Sequence, residues 1–104
     1  MFTVLVVAPE EATLETLARA RPSVEILRAR GPEEALEKLD RNRRIDAVLL
    51  LGPGAAEAIA EIRAENPAPP PLFATGLADA FPPEVRLLPA GSAEAVLDRL
   101  IEHL

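Results

Sequence analysis

The run Ile45-Asp46-Ala47-Val48-Leu49-Leu50-Leu51, closed by Gly52-Pro53-Gly54, decides how the rest of the chain is read. Apart from Asp46 every residue in it is apolar, with no alternation between faces and too few residues for a helix of ordinary length. A run of this kind is a strand buried on both sides, the pattern of a parallel sheet with helices packed on either face. Immediately downstream, Ala55 to Glu65 places Ala55, Ala58, Ile59 and Ile62 at helical spacing, and Asn66-Pro67 stops that helix. Immediately upstream, Gly31-Pro32 opens a helix carrying Glu33, Glu34, Ala35, Leu36 and Leu39.

The same alternation extends to both ends. Phe2 to Val7 and Val24 to Leu27 read as strands, with a helix from Glu10 to Ala20 between them that presents Leu14, Leu17 and Ala18 on one face. The proline-rich stretch Pro67 to Pro71 leads into a short fourth strand, Leu72-Phe73-Ala74, which finishes at Thr75-Gly76. Val85 to Leu88 reads as a fifth strand. Ser92, a natural N-cap, opens a last helix to Leu104 with Val96, Leu97, Leu100, Ile101 and Leu104 inward. Strands and helices in strict alternation imply right-handed crossovers and one α/β domain over residues 1–104. The expected architecture is a flavodoxin-like doubly wound five-stranded parallel sheet of strand order 2-1-3-4-5. In such sheets ligands sit beyond the carboxyl ends of the strands, where the order switches between the first and third. That directs attention to Ala8, Pro9, Glu10, Leu51, Gly52, Thr75 and the turn Pro89 to Gly91.

Composition narrows the function. A chain of 104 residues with 49% hydrophobic and 27% charged residues supports one globular core. A formal charge of -6 opposes the phosphate backbone of nucleic acid and the anionic membrane surface, so neither is an expected partner. The absence of cysteine removes thiol catalysis, thiolate metal sites and disulfides. No apolar stretch approaches the ~20 residues of a membrane span, and the start MFTVLVVAPEE lacks a basic segment ahead of its apolar run, so a cytoplasmic location is expected.

VLVVAPEE, GPEEALEKL, IDAVLLLGPG, EIRAENP, FATG and RLLPAGS follow one another in the order and approximate spacing of response-regulator receiver (CheY-like) domains, and the chain resembles that family over nearly its whole length. The resemblance implies a site it does not complete. The family's Mg²⁺-holding acid pair falls on Ala8 and Pro9, with only Glu10 acidic beside them. Its phosphate-accepting Asp falls on Leu51, its lysine on Ala90 or, with the turn aligned differently, on Pro89 or Leu88, and its switch hydroxyl on Thr75. Metal, nucleophile and charge clamp are thus missing together, the mark of a degenerate pseudo-receiver. The stretch GLADAFPPE between the fourth and fifth strands is also too short for the helix a receiver carries there, so that helix is expected to be shortened or missing. A thinned helical layer would leave apolar surface uncovered for a contact.

The remaining candidates have ordinary readings beside functional ones. Thr75 suits an anion or its local backbone. Gly52 and Gly54 offer backbone N–H groups between strand and helix but lack the Lys-Ser/Thr of a phosphate loop. Glu10 and Glu11 suit either a cation or a first helical turn, and His103 suits the negative end of its helix. Arg41, Arg43 and Arg44 make a small basic cluster flanked by Asp40 and Asp46, and Pro67 to Pro71 is either a rigid connector or a polyproline ligand. No catalytic residue, metal or cofactor is expected. The expected function is a non-phosphorylatable receiver-like signalling or regulatory module that binds a protein partner, a second copy included; the alternative is a small-molecule or nucleotide sensor using Gly52, Gly54 and Thr75 at the carboxyl edge of the sheet.

Overall fold

Side chains that are apolar in succession must find cover on both faces, and the fold supplies it with two pairs of helices. The computed structural model describes residues 2–42, 44–75 and 80–104. Along the chain run β1 (Phe2–Val7), α1 (Glu11–Ala20), β2 (Val24–Ala29), α2 (Pro32–Arg41), β3 (Ala47–Leu50), α3 (Ala55–Glu65), β4 (Leu72–Ala74), β5 (Arg86–Leu87) and α4 (Ala93–His103). All strand pairs are parallel and the order is β2-β1-β3-β4-β5, the flavodoxin-like arrangement expected from the sequence. Successive strand residues face opposite ways. Val4, Val6, Leu49 and Phe73 pack with Leu14 and Leu17 of α1 and Val96, Leu97 and Leu100 of α4. Leu5, Val7, Val48, Leu50, Leu72 and Ala74 pack on the opposite face with Ala35 of α2 and Ala55, Ala58, Ile59 and Ile62 of α3.

Element bounds depart from the sequence reading where pairing overrides pattern. β2 runs on to Ala29 because Arg28 and Ala29 pair with Val6 and Val7, although the polar alternation there reads as loop. β3 is shorter than Ile45 to Leu51. Asp46, the one polar residue of the run, lies ahead of it: its carboxylate accepts from the Thr3 N–H at 2.8 Å while its own N–H donates to the Thr3 carbonyl at 2.8 Å, fastening the start of β1. β5 is reduced to two residues between the buried Val85 and Leu88. Leu104, expected inward, follows the last residue of α4 and is 38% exposed.

The helix ends explain the stops. Asn42 and Asn66 follow α2 and α3, and each uses its backbone N–H and its side-chain amide on the same carbonyl four residues back, Lys38 and Ile62 respectively. Ser92 accepts from the Ala95 N–H at 3.2 Å at the start of α4, as a capping serine should.

Among the described residues no α-helix lies between β4 and β5. Gly76 and residues 77–79 of that connection lie outside the described residues, as does Arg43 of the basic cluster. Half-buried Phe81 packs against the α2–α3 side of the core, and Arg63 Nη2 meets Glu84 at 2.6 Å, fastening the segment to α3. Leu72, Ala74 and Val85 stay buried, so the expected uncovered surface contracts to the sheet margin. There Leu87, which pairs with Ala74 and so shares its face, is 37% exposed.

A second tie that the sequence did not advertise joins α1 to α4: Arg21 holds Asp98 with two bonds of 2.6 Å each, a bidentate guanidinium–carboxylate pair across 77 positions of chain. The hydrogen bonds from Arg21, helped by its charge, hold the Asp98 carboxyl below the usual carboxylate range. A carboxylate with a lower pKa folded than unfolded adds stability above its unfolded pKa, about 3.9 for Asp, and loses it as pH falls through the folded value. Asp98→Asn is therefore expected to melt below the parent protein at neutral pH, with the gap closing as pH drops below the ordinary carboxylate range; circular dichroism melts across pH check this, and a gap independent of pH contradicts it.

Candidate functional site

The carboxyl ends of β1 and β3 meet where the fold places its ligands. Val7 and Leu50 pair there, and the Leu51 N–H donates to the Val7 carbonyl at 2.9 Å, so the chain leaves the two strands side by side. The turns that follow close on one another. Gly52 has φ of 79° and Gly54 has φ of 88°, left-handed values that glycine reaches without steric cost. Over Gly52 lies the Pro9 ring: a Cβ added at Gly52 would stand 3.1 Å from Pro9 Cδ and 3.3 Å from Cγ. At Gly54 the same addition meets nothing within 4 Å.

The remaining space is a crevice of about 130 Å³ lined by Val7, Ala8, Pro9, Leu51 and Gly54, by Arg30 and the α2 start, and by the first two turns of α3, which bring Glu57 and Glu61. Ligand pockets for small molecules span roughly 300–1,000 Å³, so this one suits a few waters better than a nucleotide. Ala8 is buried, Pro9 exposed and Leu51 half-buried. Neither Glu10, which stands exposed as the residue before α1 with no side-chain capping bond, nor Thr75 nor Ala90 is among the lining residues. Leu88 belongs to the core, which leaves Pro89 and Ala90, both exposed, as the turn positions matching the receiver lysine.

A receiver's Mg²⁺ requires several oxygen ligands. A methyl group at position 8, a pyrrolidine ring at 9 and an isobutyl group at 51 offer none, so the positions that match the receiver's ligands do not fit that ion; the carboxylates lining the crevice, Glu57 and Glu61, stand instead on α3. Glu11, paired with Glu10 in the sequence as a possible cation site, instead lies 3.4 Å from the Arg30 guanidinium. His103, exposed in the last turn of α4, sets its ring 5.8 Å from that of buried Phe73 with the two planes tilted by 43°, a packing contact. Arg41 pairs with Glu37 at 3.2 Å on the exposed side of α2. The proline run borders two surface grooves at the opposite, amino edge of the sheet, of about 370 and 460 Å³, and the Pro71 carbonyl accepts from the Val48 N–H at 2.9 Å. Arg30 itself escaped the sequence reading because β2 was ended at Leu27; the two extra paired residues carry it to the carboxyl edge.

With this geometry in hand the solved structures can be compared. An uncharacterized protein from Neptuniibacter caesariensis superposes with a TM-score of 0.76 at 20% identity, covering 98% of this chain and 85% of that one. A de novo designed Rossmann 2x3 fold protein gives 0.73 at 15% identity over 99% of this chain and 91% of its own. A response regulator receiver domain (CheY-like) from Methylobacillus flagellatus gives 0.70 at 15% identity over 99% of this chain and 98% of that one. No protein-family model matches the sequence, and no curated protein matches it. The fold is flavodoxin-like and receiver-like. At these identities the likeness is one of architecture, and the designed neighbour makes the point that pattern alone reaches it.

The contact between Pro9 and Gly52 yields a test. Gly52→Ala is expected to cost more stability than Gly54→Ala, because both place a side chain at positive φ, about 1–2 kcal/mol, but only the first also drives a methyl group into Pro9. Pro9→Ala added to Gly52→Ala should return part of the difference in urea unfolding; equal costs at both glycines would contradict the packing described.

Proposed function

We propose that this chain is a non-phosphorylatable receiver-like module of signalling or regulation that works by protein–protein contact, with a second copy as the partner. The observation that carries the reading is the set Ala8, Pro9 and Leu51 around the switch-point crevice, on a sheet whose architecture a receiver domain shares at full length. Phosphoryl transfer needs an acceptor oxygen and a cation to neutralise developing charge. At the positions where a receiver supplies them, Ala8, Pro9 and Leu51 offer neither. What such a frame retains is surface, and among the described residues the stretch without a helix is the β4–β5 margin, with Leu87 and Phe81 on its α2–α3 side and α4 on the other. An isologous contact through α4 and β5 would cover that margin, and contacts of this symmetry are the commonest among homo-oligomers.

The sensor reading is the weaker of the two, on size: about 130 Å³ is available, and Thr75 does not border it. Incubation with acetyl phosphate and Mg²⁺ followed by intact-mass measurement tests the main reading. The mass is expected to stay unchanged. A gain of one phosphoryl group would overturn it.

A further inference from the structure

Helices α1, α2 and α3 all begin at the carboxyl edge of the sheet, and each brings acid in its first turn: Glu11, then Glu33 and Glu34, then Glu57. Each carboxylate is favoured by its own helix dipole, while like charges gathered at one edge of the sheet repel. Among the described residues lining the crevice, Arg30 carries the only positive charge. Its Nη1 lies 3.4 Å from Glu11 Oε2 on α1 and its Nε 3.7 Å from Glu34 Oε2 on α2, while its backbone N–H donates to that same Glu34 oxygen at 2.6 Å. One side chain at the end of β2 thus bridges the starts of two helices that pack on opposite faces of the sheet.

We propose that Arg30 is a built-in counter-cation: it offsets the charges of Glu11 and Glu34, ties α1 to α2 across the end of β2, and makes that pair of carboxylates indifferent to divalent metal. This stands apart from the signalling reading, since it concerns what holds the edge together and not what the protein binds. A guanidinium tethered to the chain is present at every metal concentration. Taking it away leaves Glu11 and Glu34 without the charge they share, and carboxylates freed in this way are oxygen ligands of the kind a hard divalent cation accepts.

The experiment is a set of thermal melts of the parent protein, Arg30→Gln, Arg30→Lys and the double variant Arg30→Gln/Glu34→Gln, each in CaCl₂ and in NaCl of equal ionic strength. Glutamine keeps the backbone N–H bond to Glu34 and removes only the charge. The parent Tm is expected to be the same in both salts. Arg30→Gln should lower Tm in NaCl by roughly 1–5 °C and regain part of that loss in CaCl₂; Arg30→Lys should stay near the parent, and the double variant should lose the calcium response. A parent protein that calcium stabilises, an Arg30→Gln variant without loss of Tm, or one whose loss calcium does not repair would each overturn the proposal. Because acetyl phosphate labelling reads a different property, failure here and failure of the proposed function are told apart.

Discussion

Burial of β3 between two helical layers is the constraint on which everything else depends. Val48, Leu49 and Leu50 are fully buried and alternate between the two halves of the core, so neither α1–α4 nor α2–α3 could be removed without exposing a strand that has no polar face. Each large apolar side chain so buried contributes about 1.5–3 kcal/mol. Because the strand needs cover on both sides, its neighbours must arrive by crossovers that leave a helix on each face, and in the order β2-β1-β3-β4-β5 the right-handed sense of each crossover fixes which face its helix covers. The carboxyl edge, with its crevice between β1 and β3, is a by-product of that order.

Part of this edge is built from the same apolar residue types as the core. Ala8 is buried as an extension of β1, Leu51 half-buried as an extension of β3, and the Pro9 ring closes over the Gly52 turn. Such residues add packing where a metal site would have stored repulsion between acids. The positive charge in the crevice wall comes from Arg30, the residue that follows β2. The result is a doubly wound domain whose switch point holds a crevice of about 130 Å³ bordered by Ala8, Pro9 and Leu51.

The strand order was legible in the sequence because hydrophobic runs, helical periodicity and Gly/Pro stops all agreed, and α3 matched residue for residue. What pattern could not supply was pairing. Arg28-Ala29 looks like loop until β1 is laid beside it, and Asp46 looks like a charge in an apolar run until Thr3 is seen to use its carboxylate. Long-range charge pairs were equally invisible: nothing local marks Arg21 and Asp98 as partners, since only the packing of α1 on α4 brings them together. At the site, the substituted positions Ala8, Pro9 and Leu51 were legible through the family resemblance and converge on one crevice, whereas Glu10, Thr75 and Ala90 do not border it. Arg30 was missed because its place depends on where β2 ends.

If the frame works by contact, association is the property to measure, and sedimentation velocity over a wide concentration series reads it without presupposing a ligand. The account predicts a concentration-dependent dimer that weakens when Leu87 is replaced by a charged residue. A monomer at every concentration would contradict self-association through the β4–β5 margin.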